Sequence, residues 1–163
     1  MTPFVQGRTY RRRDLHGQFG GQAQGGISTP AGHPFLLLFT GESGNRYGYS
    51  DGWTPNGVFE YTGEGQRGDM GFVRGNLAIL EHGQAGRDLH LFEQTDRGNV
   101  RYVGQMVCTG YDQRTGPDVD GKIRKVTSLS CYPYRLLQRP GRRCQLTFLL
   151  LECRDCGPKV WAN

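Results

Sequence analysis

Residues 59–76 read Phe-Glu-Tyr-Thr-Gly-Glu-Gly-Gln-Arg-Gly-Asp-Met-Gly-Phe-Val-Arg-Gly-Asn. A strand-forming opening, Phe59 to Thr62, runs into glycines at 63, 65, 68, 71 and 75. Glycine lets the backbone take positive φ or approach a ligand closely. Between the glycines, Tyr61, Thr62, Glu64, Gln66, Arg67 and Asp69 offer an aromatic face, donors and acceptors. This is far more chemistry than a turn needs, and it is the layout of a binding loop. No residue in it has the pattern of a nucleophile with its base.

Outward from this stretch, Phe72, Val73, Leu77 and Leu80 recur near helical spacing and Gly83 is placed to stop them, so a short helix is expected over 72–82. Strands are expected at Phe35–Phe39, Gly57–Thr62, Leu89–Glu93 and Val100–Thr109, each bounded by Gly, Asn, Asp or Pro. Twenty-six glycines and few amphipathic windows make the chain mainly β with a short helix, an α+β barrel with the helix packed on it.

The 163 residues suit one domain and a single core. No apolar run approaches the roughly 18 residues that cross a bilayer, and the N-terminus lacks the apolar segment of a signal peptide, so a cytoplasmic, membrane-free protein is expected. Five cysteines, four of them within 131–156, argue against a secreted disulfide framework. The net charge of +5 is unevenly spread. Arg8, Arg11, Arg12 and Arg13 cluster, residues 14–121 carry 7 Lys and Arg against 13 Asp and Glu, and much of the remaining excess follows Gly121. Charge alone therefore does not decide for nucleic acid.

Four words of the sequence resemble the signature of SRA (SET- and RING-associated) domains, modules that flip a modified cytosine out of duplex DNA. They are Tyr61-Thr62-Gly63, Gly68-Asp69, the helix-opening Arg74-Gly75-Asn76-Leu77-Ala78-Ile79, and upstream Gly48-Tyr49-Ser50-Asp51 at the family's spacing. In order from about Arg11 to Thr109, they are most similar to the bacterial form that precedes HNH nuclease domains in modification-dependent (type IV, McrA-like) restriction enzymes. The resemblance implies a PUA-like barrel, a bacterial setting, and a ligand of the 5-methylcytosine kind in duplex DNA. It carries the base pocket onto Tyr49, Tyr61 and Thr62. The family's acidic position falls on Gly52, and Asp51, one residue earlier, is the carboxylate placed to accept from a cytosine amine. Trp53 adds a further aromatic face. A flipped base needs such faces for stacking, polar groups for its Watson–Crick edge, and a filler for the gap it leaves.

The filler is expected from residues 17–30, where Gln22 and Gln24 are suited to base edges. Arg11, Arg12 and Arg13 are the candidate phosphate contacts, because three charges act together. Arg67 and Arg74 flank a helix start that favours an anion. Asp69 and Asn76 read equally well as helix caps, and His16 as a structural hydrogen-bonding residue. The histidines are His16, His33, His82 and His90, with none after Glu93, so no HNH metal site, no catalytic residue and no cofactor is expected in this chain. Cys131, Cys144, Cys153 and Cys156 keep a zinc reading open. A reader of modified RNA, and a small hydrolase using Asp51, Glu64 and Asp69, remain as alternatives, and a homodimer stays open.

After Val126 the text changes to Ser-Leu-Ser-Cys-Tyr-Pro-Tyr-Arg-Leu-Leu-Gln-Arg-Pro-Gly-Arg-Arg-Cys at 128–144. Its Arg, Pro, Cys and Ser enrichment is that of a shifted reading frame in a GC-rich gene. The expected division is an SRA-like domain at 1–126, incomplete at its end, and an unrelated tail at 127–163.

Overall fold

The computed structural model describes residues 2–41 and 50–137. In chain order the elements are β1 (Thr9–Arg11), α1 (Arg12–Phe19), β2 (Ile27–Ser28), β3 (Phe35–Thr40), β4 (Gly52–Trp53), β5 (Phe59–Thr62), α2 (Arg74–Leu80), β6 (Asp88–Asp96), β7 (Asn99–Pro117), β8 (Ile123–Pro133) and α3 (Tyr134–Leu137). The chain is mainly β, as expected, and its strands form one mixed sheet in the order β2-β3-β6-β7-β8-β5-β4, with β1 paired to the start of β7.

β3 and β6 are the parallel pair, in register from Phe35 with Asp88 to Thr40 with Glu93. The apolar run Phe35-Leu-Leu-Leu-Phe explains why β3 sits inside the sheet: both of its faces are covered, as parallel strands require. Leu36 and Leu38 join Phe59, Tyr61, Ile79, Leu89, Leu91, Leu129 and Cys131 in one core. Phe35, Leu37 and Phe39 face the other way, into Phe4, Leu15, Phe92, Val100 and Tyr102. α2 closes the first core through Ile79, and α1 closes the second through Leu15 and Phe19.

The expected helix at 72–82 is shorter, Arg74–Leu80. Phe72 packs its ring against Tyr111 instead, with centroids 4.4 Å apart. Of the segment read as loop from Gly17, the first three residues finish α1, an element whose apolar pair Leu15 and Phe19 at i, i+4 was its faint signal. Ordered structure does not stop at Val126. β8 runs on to Pro133, with Val126, Leu129 and Cys131 buried. Its serines lie between two strands, Ser128 opposite Thr62 and Asp112, Ser130 opposite Glu60 and Gly110. The change in composition therefore falls inside a strand that continues through it. Residues 138–163 lie outside the described residues.

His90 sits in the second core beside Phe4, Phe35 and Tyr102, and its Nδ1 meets the Tyr102 hydroxyl at 2.8 Å. Its Nε2 has no partner among the described residues. Burial therefore lowers the imidazole pKa from 6.5 to about 4. The unfolded chain takes up this proton near 6.5 and the folded chain does not, so stability is full above 6.5 and falls as the pH drops toward 4. Urea unfolding across that range should show the decline, with an NMR titration of the His90 ring alongside; a ring titrating near 6.5 in the folded protein refutes this origin.

Candidate nucleic-acid interface

Asp51 leads into β4, and its carboxylate spans two other elements. Oδ1 accepts the Thr62 N–H of β5 at 2.8 Å, and Oδ2 accepts the Thr40 hydroxyl at the end of β3 at 2.7 Å. The Ser50 N–H in turn donates to the Thr62 hydroxyl at 3.1 Å. Burial raises the Asp51 pKa, opposed by the hydrogen bonds from Thr40 and Thr62 that favour the charged form. A carboxylate has about four acceptor positions, so among the described residues these contacts leave it capacity for a further donor.

Tyr61 is buried at 3 % exposure, and its hydroxyl donates to the Phe39 carbonyl at 3.4 Å. Gly26 lies against that hydroxyl, where a Cβ would stand only 2.3 Å from the Tyr61 oxygen, and its carbonyl accepts the Phe39 N–H at 2.7 Å. Burial first, and then the negative charges of Asp51 and Glu64, push the Tyr61 phenol pKa well up. Asp51, Tyr61 and Thr62 thus converge at one end of β5, flanked by the glycine loops that follow Thr62 and precede β2. Trp53 stands apart: half exposed, it sets its ring edge-on to Phe59 at 5.1 Å. It lines a separate cavity of about 250 Å³ with Phe4, Tyr102, Met106 and Pro133. Tyr49 lies outside the described residues.

The loop after Thr62 is tied down from three sides. Asn76, 1 % exposed, accepts the Glu64 N–H at 2.7 Å and donates to the carbonyls of Glu64 at 2.9 Å and Gly71 at 3.0 Å. Arg124 of β8 donates to the carbonyls of Gly65 at 2.6 Å and Gly68 at 3.3 Å. Asp118, in the β7–β8 turn, accepts the Gly68 N–H at 3.3 Å. Asp69 accepts the Lys125 N–H at 2.7 Å. Asn76 and Asp69 are therefore loop clamps and not caps of α2. The first turn of that helix is served from outside, by Glu64 Oε1 accepting the Gly75 N–H at 3.1 Å. Arg74, which opens α2, takes φ 48°, uncommon for any residue but glycine.

Among the candidate phosphate contacts, Arg11 and Arg13 are exposed and Arg12 is half buried. The Arg12 guanidinium lies 4.0 Å from the Phe39 ring centroid and donates to the Gly25 carbonyl at 2.5 Å. Arg67 is exposed and pairs with Asp120 at 2.7 Å, and Arg74 is exposed. Gln22 is a brace within its loop, its Oε1 accepting the N–H and hydroxyl of Thr29 at 2.7 and 3.1 Å, whereas Gln24 is exposed. His16 accepts from Arg12 Nε at 3.3 Å, in keeping with a structural role.

The three carboxylates of a hydrolase reading, Asp51, Glu64 and Asp69, each hold a different backbone N–H. Cys131 lies opposite Cys108 across β7 and β8, both buried free thiols, while the other three zinc candidates fall outside the described residues. Among the described residues no group of three His, Cys, Asp or Glu could hold a metal, and no helix is long and apolar enough to cross a membrane. Thr40 and Arg124, which sequence reasoning passed over, carry no local signal, since only the strand pairing brings them to the site.

A profile described as "ScoMcrA-like, SRA domain" matches residues 6–134, from before β1 to the end of β8. The chain belongs to that SRA family. Among solved structures it is similar to "Sulfur binding domain and SRA domain of ScoMcrA complexed with phosphorothioated DNA", with 27% identity and a TM-score of 0.64 over 79% of this chain and 39% of that one. A second match, "Structure of the Type IV phosphorothioation-dependent restriction endonuclease ScoMcrA", has the same identity and TM-score and covers 28% of that chain. The SRA chain thus spans well under half of the ScoMcrA chains it matches. The SUVH5 SRA domain in complex with hemi-methylated CG DNA is similar in fold, at 22% identity and TM-score 0.61 over 86% of this chain and 93% of that one. No curated protein matches.

Proposed function

We propose that this SRA domain reads a modified cytosine in duplex DNA, taking the base out of the stack, and is the specificity part of an HNH-type restriction endonuclease of the bacterial cytoplasm. The observation that carries the reading is the Asp51 carboxylate, held by Thr62 and Thr40 with acceptor capacity left over beside a glycine-rich loop. A cytosine presents an amine donor, and a carboxylate is acceptor-only, so the two match. The similarity to the sulfur binding domain and SRA domain of ScoMcrA complexed with phosphorothioated DNA supports DNA as the ligand class. The three tied carboxylates favour binding over hydrolysis.

The test is a titration with unmodified, 5-methylcytosine, 5-hydroxymethylcytosine and phosphorothioated duplexes and a matching RNA, each at two salt concentrations. Tighter binding to one or both cytosine-modified duplexes is the expected result, by about tenfold if one base contact of ~1–3 kcal/mol decides it. The stoichiometry in the same titration decides between monomer and homodimer. Equal affinity for all DNA duplexes ends the reading, a preference for phosphorothioate alone moves recognition from base to backbone, and a preference for RNA moves the domain to the alternative class.

A further inference from the structure

The loop after Thr62 is bound to α2, to β8 and to the β7–β8 turn, but the loop Gly20–Gly26 has a different support. Gly20, Gly21 and Gly25 take φ of 78°, 82° and 85°, so its course is set by glycine, and its far end presses Gly26 onto the Tyr61 hydroxyl. What joins its outer part to the domain is Arg12. The guanidinium stacks over Phe39, donates to the Gly25 carbonyl at 2.5 Å and reaches His16 Nε2 at 3.3 Å. The second ring nitrogen of His16 lies 3.3 Å from the Gly20 carbonyl, so both ends of the loop lead back to one guanidinium.

We propose that Arg12 is a positioning residue that clamps the Gly20–Gly26 loop against Phe39 and Tyr61. Its effect on DNA preference rests on the reading of the site given above. A planar fork that stacks with one face and donates from its edge is an arginine property, and lysine cannot do both at once. Burial lowers the Arg12 pKa, as a desolvated cation requires, whereas a phosphate contact waiting for DNA is solvated beforehand.

Parent, Arg12→Lys and Arg12→Ala proteins are to be compared by amide hydrogen exchange without DNA, and by affinity for modified and unmodified duplexes at several salt concentrations. Both Arg12 variants should exchange faster across 20–26 with β6 and β7 unchanged, and should lose about tenfold of the preference for the modified duplex. Parent-like exchange and preference in Arg12→Lys, with Arg12→Ala losing only about one unit of salt slope, makes Arg12 a phosphate contact and overturns the proposal. A parent without preference defeats the functional reading instead, and the exchange data still decide the clamp.

Discussion

Asn76→Ala should cost roughly 3 kcal/mol of folding free energy, because the change leaves three part-buried backbone groups without their partner, each costing about 1 kcal/mol, at the low end for an orphaned group. The groups are the N–H and C=O of Glu64 and the C=O of Gly71, all within 3.0 Å of the one side-chain amide. Water cannot readily substitute, since the amide sits at 1 % exposure and Gly63 approaches so closely that a Cβ there would lie 2.9 Å from Asn76 Oδ1. Urea unfolding measures the loss. Asn76→Asp keeps the acceptor for the Glu64 N–H but sets a carboxylate oxygen against two carbonyls, so it should rescue little. A loss below about 1 kcal/mol in the alanine variant means that the loop closes over the gap, and the clamp is then dispensable.

The same residue shows what could be read from the chain alone. Asn76 belongs to a family word, and its place near a helix start suggested a cap, which is a local relationship between residues three or four apart. Its real partners lie 5 and 12 residues away, across a loop whose path no periodicity records. Element types were legible wherever a local pattern decides them: the unbroken apolar run of β3, the glycine boundaries of β6, the apolar stripe of α2. β8 was not, because the run Ser128 to Pro133 lacks the branched and aromatic alternation by which a strand is read, and its place between β5 and β7 is fixed by pairing with residues distant in the chain. The triple of Arg11, Arg12 and Arg13 looked like one patch of charge. A helix starting at Arg12 separates the three directions, and the aromatic face of Phe39 takes the middle one.

Asp51→Asn should leave the fold intact while weakening binding to the modified duplex. The Thr62 N–H can only donate, so the amide must turn its oxygen toward Thr62, at 2.8 Å in the parent. Its NH₂ then faces Thr40, whose hydroxyl can rotate to accept, so both structural contacts survive. What changes is the outward edge: one acceptor becomes a donor facing the cytosine amine, and the charge is gone. A base contact of this kind is worth ~1–3 kcal/mol, hence a fall in affinity for the modified duplex of about tenfold. Gly52→Ala is the control, since a Cβ there meets nothing within 4 Å. The pH dependence separates the carboxylate from any steric effect. Burial raises the Asp51 pKa, so folding favours its protonated form, and its contribution to stability is largest at low pH and declines as the pH rises through the folded-state value. Binding runs the other way: acidification protonates the acceptor, and affinity for the modified duplex should fall at a pH above the ordinary carboxylate range. In Asp51→Asn both dependences on this group vanish. A variant that binds the modified duplex as tightly as the parent does, with the same acid limb in its binding curve, places the cytosine acceptor elsewhere, and Glu64 is the next carboxylate to replace.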